Sequence, residues 1–317
     1  MLESAMYGGR LELAADSRIG AGPVLRSENQ DNYLTIDAGG QARFLLGGAA
    51  QSVHVDGWPR GHLRLAVMDG MGGHGHGREA AEAVAAGLLA IPACADLASL
   101  GLHLDRLHHR LQQRFDGLHE PGPRPGTTLT MLELPPDGSA LLWHAGDSRL
   151  YEITPGGARP LTVDHVPATV LAIAGLLDED GWWRQVHGSH APQIAQAFIL
   201  GNTLFDPARL DDALVGLEPA VLPPWLRALA DRRALVLRPD ATYLLATDGF
   251  WSSSDPAEFV ARWPRLFAGR DAAGCLEALF AEMAQRPPVG VQPDNLTAIV
   301  FRLASAGRDE TALPQPA

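Results

Sequence analysis

The chain has 317 residues, 46% of them hydrophobic and 20% charged, which is enough material for one large core or two smaller ones. Its formal charge of −12 disfavours nucleic acid and anionic membranes as partners, because both would repel it. All 25 basic side chains are Arg, which excludes the lysine-dependent chemistries of P-loop nucleotide hydrolysis, protein kinases and Schiff-base enzymes. The two cysteines, Cys94 and Cys275, are too far apart for a disulfide framework or a zinc site. The chain shows no basic start followed by an apolar core, and no run of eighteen apolar residues. We therefore expect no signal peptide, no membrane span and a cytoplasmic location.

In chain order, residues 11–25 form a short stretch of mixed polarity with two glycines. The polar segment Arg26-Ser27-Glu28-Asn29-Gln30-Asp31 leads into a predicted strand at 33–37. Arg26 and Asp31 could form a surface ion pair, or Arg26 could hold an oxyanion with its planar fork. A strand is predicted at 41–46 within a Gly-rich region. The run Leu63–Met68 reads as a buried strand that delivers Asp69-Gly70 to a sheet rim. Asp-Gly is a hairpin signal, but a carboxylate beside a glycine carbonyl also suits a hard cation.

The Ala-rich segment 78–91 and the Leu-periodic segment 102–118 predict helices. His103, His108 and His109 on the second of these read as a solvated face. The segment 119–126 reads as a Pro/Gly loop. Strands are expected at 126–132, 141–146 and 150–154, with Gly146-Asp147 at the end of the middle one. Residues 166–202 are irregular and read as an insertion lying over the site, and 205–233 are irregular too. Then Thr242–Ala246 runs into Thr247-Asp248-Gly249, helices are expected near 256–267 and 272–285, and a last strand starts at Asp294-Asn295. The tail from 305 to 317 reads as disordered.

Asp69, Asp147, Asp248 and Asp294 thus each border a predicted strand. Carboxylates gathered at one sheet edge would repel one another, and divalent cations relieve that repulsion. At this point the chain resembles the protein phosphatase 2C family of metal-dependent (PPM) serine/threonine phosphatases, bacterial type. The matching pieces run in order over residues 26 to 301. They are Arg26-x-x-Asn29-x-Asp31, Val67-Met68-Asp69-Gly70-Met71-Gly72-Gly73, Gly126-Thr127-Thr128, Ala145-Gly146-Asp147-Ser148-Arg149, Leu161-Thr162-x-Asp164-His165, Ala246-Thr247-Asp248-Gly249 and Asp294-Asn295-Leu296-Thr297.

The resemblance implies an α+β, four-layer α-β-β-α sandwich: two antiparallel sheets flanked by helices, formed by one domain spanning 1–304 with a flap-like insertion at 166–202. It implies hydrolysis of phosphoserine and phosphothreonine by a metal-bound hydroxide at a centre of two Mn²⁺ or Mg²⁺ ions, with a third, weaker ion. Asp69 would bridge the metals, the Gly70 carbonyl would complete one, and Asp248 and Asp294 the other. Asp147 matches the position serving the third ion, Asp31 would hold metal-bound water, and Arg26 would grip the phosphate. Gln30 stands where many members carry Glu. Met71 stands where many eukaryotic members carry His, so proton delivery falls to metal-bound water; His74 and His76 have no assigned part. The implied partner is a phosphoprotein made by a Ser/Thr kinase, type VI secretion being one setting, and a monomer is expected. A non-catalytic phosphatase-like module and a hydrolase of small phosphoesters are the alternatives.

Overall fold

The computed structural model describes residues 11–20, 26–72, 76–116, 124–136, 138–189 and 193–303. Strand β1 (Leu11–Arg18) precedes a meander of β2 (Asn32–Ile36), β3 (Gln41–Leu46), β4 (Ala49–His54) and β5 (Leu63–Met68). The two-residue β6 (Gly70–Met71) leads to helices α1 (His76–Leu89) and α2 (Leu97–Asp116). Next come β7 (Gly126–Thr127), β8 (Leu129–Leu134), β9 (Ala140–Ala145), β10 (Arg149–Thr154) and β11 (Gly157–Pro160). The insertion contributes α3 (Pro167–Ile173), α4 (Glu179–Val186) and a small hairpin of β12 (Gln196–Ala197) and β13 (Gly201–Asn202). The chain continues through β14 (Arg232–Leu235), β15 (Thr242–Ala246), α5 (Pro256–Val260), α6 (Trp263–Phe267), α7 (Ala272–Gln285) and β16 (Leu296–Leu303).

Two antiparallel sheets result, ordered β14-β9-β8-β5-β2-β3-β4 and β1-β16-β15-β10-β11. The strands read as continuous apolar runs because both faces of each sheet are covered. In β5, Leu65 and Val67 join the core between the sheets, while Ala66 and Met68 face α1 and α2. In β15, Tyr243 and Leu245 point into that central core, and Leu244 and Ala246 face α7. The period-two alternation of side chains therefore builds the four layers α-β-β-α directly. Among the described residues no helix is long and apolar enough to cross a membrane.

Several local expectations change. β1 was not foreseen as a strand, yet it pairs with β16 along its whole length, from Leu11↔Leu303 to Arg18↔Leu296. It is a half-buried edge strand, and its Ala14-Ala15 step blurs the alternation. β4 is exposed throughout and carries no apolar pattern to read. The helix expected over 256–267 is two short helices, and Pro264 sits in the first turn of α6, where a proline is tolerated. His108 is buried rather than solvated: its Nε2 donates to the Asp212 carbonyl at 2.7 Å and its Nδ1 accepts from the Ile199 N–H at 2.9 Å. The insertion has its own apolar cluster, which runs past the expected 166–202 boundary to Leu217, Leu222, Leu226 and Ala230. The tail 305–317, His74 and most of the 119–126 loop lie outside the described residues.

One buried charge pair anchors the helical layer over the larger sheet. Arg64 on β5 is fully buried; its Nε donates to Glu133 Oε1 on β8 at 2.9 Å, and its guanidinium also donates to the carbonyls of Ile91 and Pro92 just past α1. His62 bonds the other Glu133 oxygen. Removing one partner leaves a buried charge uncompensated. Glu133→Ala is therefore expected to lower unfolding stability by about 3–5 kcal/mol, read from urea denaturation; a loss below about 1 kcal/mol would mean that the pair behaves like a surface ion pair.

Candidate active site

The strand ends deliver the predicted carboxylates to one place. A pocket of about 290 Å³ is lined by Asp69 and Gly70 after β5, Asp147 after β9, Asp248 after β15 and Asp294 before β16. Arg26, Gln30 and Asn295 complete one side, and Gln193 and Ile194 of the insertion reach the same pocket. Asp31 is not part of this wall. It is 3% exposed and lies behind it, with Oδ2 accepting a hydrogen bond from Thr247 Oγ1 at 2.8 Å.

Local hydrogen bonds and glycines hold the chain around this pocket. The Asp69 N–H donates to Thr128 Oγ1 at 2.9 Å, the Thr128 N–H returns to the Asp69 carbonyl at 2.9 Å, and Thr128 Oγ1 meets Ser148 Oγ at 2.7 Å. One threonine thus ties the β5 end to the Asp147-Ser148 turn. Gly70 admits no side chain: a Cβ there would stand 2.2 Å from the Gly77 carbonyl oxygen and 2.4 Å from that of Gln30. Gly146 adopts φ +121°, and a Cβ would sit 2.6 Å from Thr128 Cγ2. Its N–H donates to His165 Nδ1 at 3.0 Å, and the His165 N–H donates to the Gly146 carbonyl at 2.8 Å. This leaves His165 Nε2 to donate to Asp231 Oδ2 at 3.1 Å, deep in the protein. Asn295 fastens the opposite side, taking the Gln30 N–H on Oδ1 and donating through Nδ2 to the carbonyls of Ile19 and Glu28. Thr128, His165, Thr247 and Asn295 all lie inside the quoted motifs, but no local pattern marked them as positioning groups.

The electrostatics follow from crowding. Burial pushes the Asp31 carboxyl up to about 7, with Asp294 and Asp248 adding to the rise and the hydroxyls of Thr247 and Thr297 opposing it. Asp69 is held well above the usual carboxylate range by burial and then by Asp31, Asp248, Asp294 and Asp147. Asp294 is raised to about 6 by burial and Asp248, and the neighbouring Arg26 offsets part of this. Arg26 Nη2 lies 2.7 Å from Asp294 Oδ1 and its Nε donates to the Pro293 carbonyl, so Arg26 meets Asp294 rather than Asp31. This pair is half exposed and worth little by itself.

The donor set is all oxygen: four carboxylates and a glycine carbonyl, without Cys or His. It fits hard divalent cations, which would offset the burial and mutual repulsion that raise Asp69 and Asp294. Among the described residues no three His, Cys, Asp or Glu side chains close on a single point as a preformed cage. The carboxylates line a shared space instead.

No family model matches the sequence, and no curated protein does. Solved structures do match. PppA, described as a key regulatory component of T6SS in Pseudomonas aeruginosa, is 22% identical with TM-score 0.60, over 93% of this chain and 98% of its own. The Mycobacterium tuberculosis serine/threonine phosphatase PstP/Ppp is 22% identical with TM-score 0.60, over 93% and 99%. A PstP catalytic domain solved with two manganese ions is 22% identical with TM-score 0.59, over 93% and 99%. Sheet order, layering and near-complete coverage on both sides agree with the resemblance seen in the motifs: the chain has the fold of the PPM serine/threonine phosphatases.

Proposed function

We propose that this protein is a metal-dependent phosphoprotein phosphatase acting on phosphoserine and phosphothreonine. The observation that carries the reading is the convergence of Asp69, Asp147, Asp248 and Asp294 on one pocket, with two of these acids and the adjacent Asp31 raised by burial and mutual repulsion. Mn²⁺ or Mg²⁺ bound there would supply Lewis-acid charge and an acidified water. In this reading Asp69, the Gly70 carbonyl, Asp248 and Asp294 would hold the ions, with Asp147 serving a weaker one. Asp31, behind the wall, would help to hold the water that the metals acidify. Arg26 at the rim supplies a planar fork for phosphate oxygens.

The reading takes residues 1–304 as one catalytic domain, monomeric and cytoplasmic, with the insertion as a flap over the pocket. Gln193 and Ile194 in the pocket wall support that placement. The substrate would be the product of a Ser/Thr kinase, and the likeness to PppA supports a setting in T6SS control.

The deciding assay follows phosphate release from a phosphothreonine peptide after chelation and then with Mn²⁺ or Mg²⁺ restored. Full activity in a sample shown to be metal-free by elemental analysis would overturn the reading. Faster turnover of a small aryl phosphate than of the peptide would favour a small-phosphoester hydrolase instead. Arg26→Ala leaves the carboxylates in place and removes a phosphate clamp. We expect KM to rise about tenfold or more with a smaller fall in kcat, measured under steady-state conditions; a loss confined to kcat would argue against the clamp.

A further inference from the structure

A second cavity, of about 470 Å³, lies apart from the carboxylate pocket and shares no lining residue with it. Arg149 and Tyr151 of β10 line it and are 2% and 1% exposed. The β10–β11 turn, α5 and α6 contribute Pro, Ala and Val side chains, and the end of α4 contributes Trp183 and His187. Its volume falls within the range of small-molecule sites.

Three features of its chemistry are specific. First, Trp183 is 48% exposed, and its ring lies 4.0 Å from that of His187 at an interplanar angle of 28°, so the imidazole backs one face of the indole and holds it in place. Second, burial and the nearby Arg149 push His187 down to about 2, so the imidazole is neutral, and its buried Nε2 has no hydrogen-bond partner among the described residues. Third, none of the described lining residues is acidic, in a chain with 37 acidic residues and a net charge of −12. Arg149 is neutralised by Asp164, with Nη2–Oδ2 at 2.6 Å. The Arg265 guanidinium, by contrast, is exposed at the cavity and makes no ion pair or hydrogen bond among the described residues.

We propose that this cavity is a second ligand site, taking a small planar aromatic carboxylate whose ring stacks on Trp183 and whose charge is met by Arg265. A flat ring uses the exposed indole at low entropic cost, and the carboxylate supplies acceptors matched to the Arg265 fork. A cation would find no counter-charge on these walls, and a neutral aliphatic ligand would use neither the indole nor Arg265. The site stands independently of the phosphatase reading, because neither metal nor phosphate enters the argument.

The test is titration calorimetry of the full chain with 2-naphthoate, 2-naphthalenemethanol and cyclohexanecarboxylate. We expect naphthoate to bind with one-to-one stoichiometry, and both the uncharged alcohol and the non-planar acid to bind about tenfold more weakly. Trp183→Ala and Arg265→Glu should each weaken naphthoate about tenfold, whereas Trp183→Phe should retain it. Both side chains are exposed, so thermal melts of the variants should match the parent. No binding of naphthoate, equal affinity for the alcohol, or affinity unchanged by both Trp183→Ala and Arg265→Glu would each overturn the proposal.

Discussion

Asp69→Asn is expected to lower kcat/KM by about 10³-fold or more. The substitution keeps the side-chain size and one acceptor oxygen but removes the charge at the centre of the acidic cluster. Metal-ion charge stabilisation is worth several kcal/mol, and each 1.36 kcal/mol is about tenfold in rate. The backbone bonds linking Asp69 to Thr128 do not involve its carboxylate, so the local fold should survive. Calorimetry should show weaker Mn²⁺ binding in the same samples. If Asp69→Asn keeps the metal stoichiometry and the turnover of the parent, Asp69 is not the bridge.

The second large effect is on stability, and it has a sign. A carboxyl raised in the folded state keeps its proton after the unfolded chain has released it. Its contribution is fully present below the unfolded value of 3.8 and is lost as pH rises through the folded value, about 7 for Asp31 and about 6 for Asp294. In the metal-free protein stability should therefore fall between pH 4 and pH 7. The loss associated with Asp31 is about 4 kcal/mol, although the acids titrate together and the figure belongs to the cluster. Chelated protein should then melt roughly 5 °C lower at pH 8 than at pH 5. Saturating Mn²⁺ should remove the difference by binding the ionised form, and Asp31→Asn should flatten the slope without metal. A melting temperature that rises from pH 5 to pH 8 in chelated protein would show that the cluster is not strained by its charges.

Much of the site was legible because of where the acids fall along the chain. An apolar run closing in Asp-Gly marks a strand end, and Asp69 and Asp248 both sit at such ends. The helices α1, α2 and α7 were also legible, since their apolar residues recur at three- and four-residue steps. β1 and β4 were not, because an edge strand exposed on one or both faces has little alternation to reveal it. The His108 reading failed for a related reason. It was grouped with the polar His103 and His109, whereas its burial comes from the segment around Ile199 and Asp212, about a hundred residues away.

Local pattern by itself determined the central strands and the identity of the acidic residues, since periodicity and turn chemistry are properties of neighbours along the chain; the two-sheet class came from the ordered motifs and the family they resemble. Only the tertiary structure decided which acids share a wall and which lies behind it. Asp31 is placed by Thr247, 216 residues away. Arg26 is drawn to Asp294 across 268 residues, not to Asp31 five positions on. Asp147 is set by a glycine turn that His165 and Asp231 hold from the far side. Such placements depend on strand pairing and burial over long separations. So do the raised carboxylate pKa values, because desolvation exists only once the layers have closed.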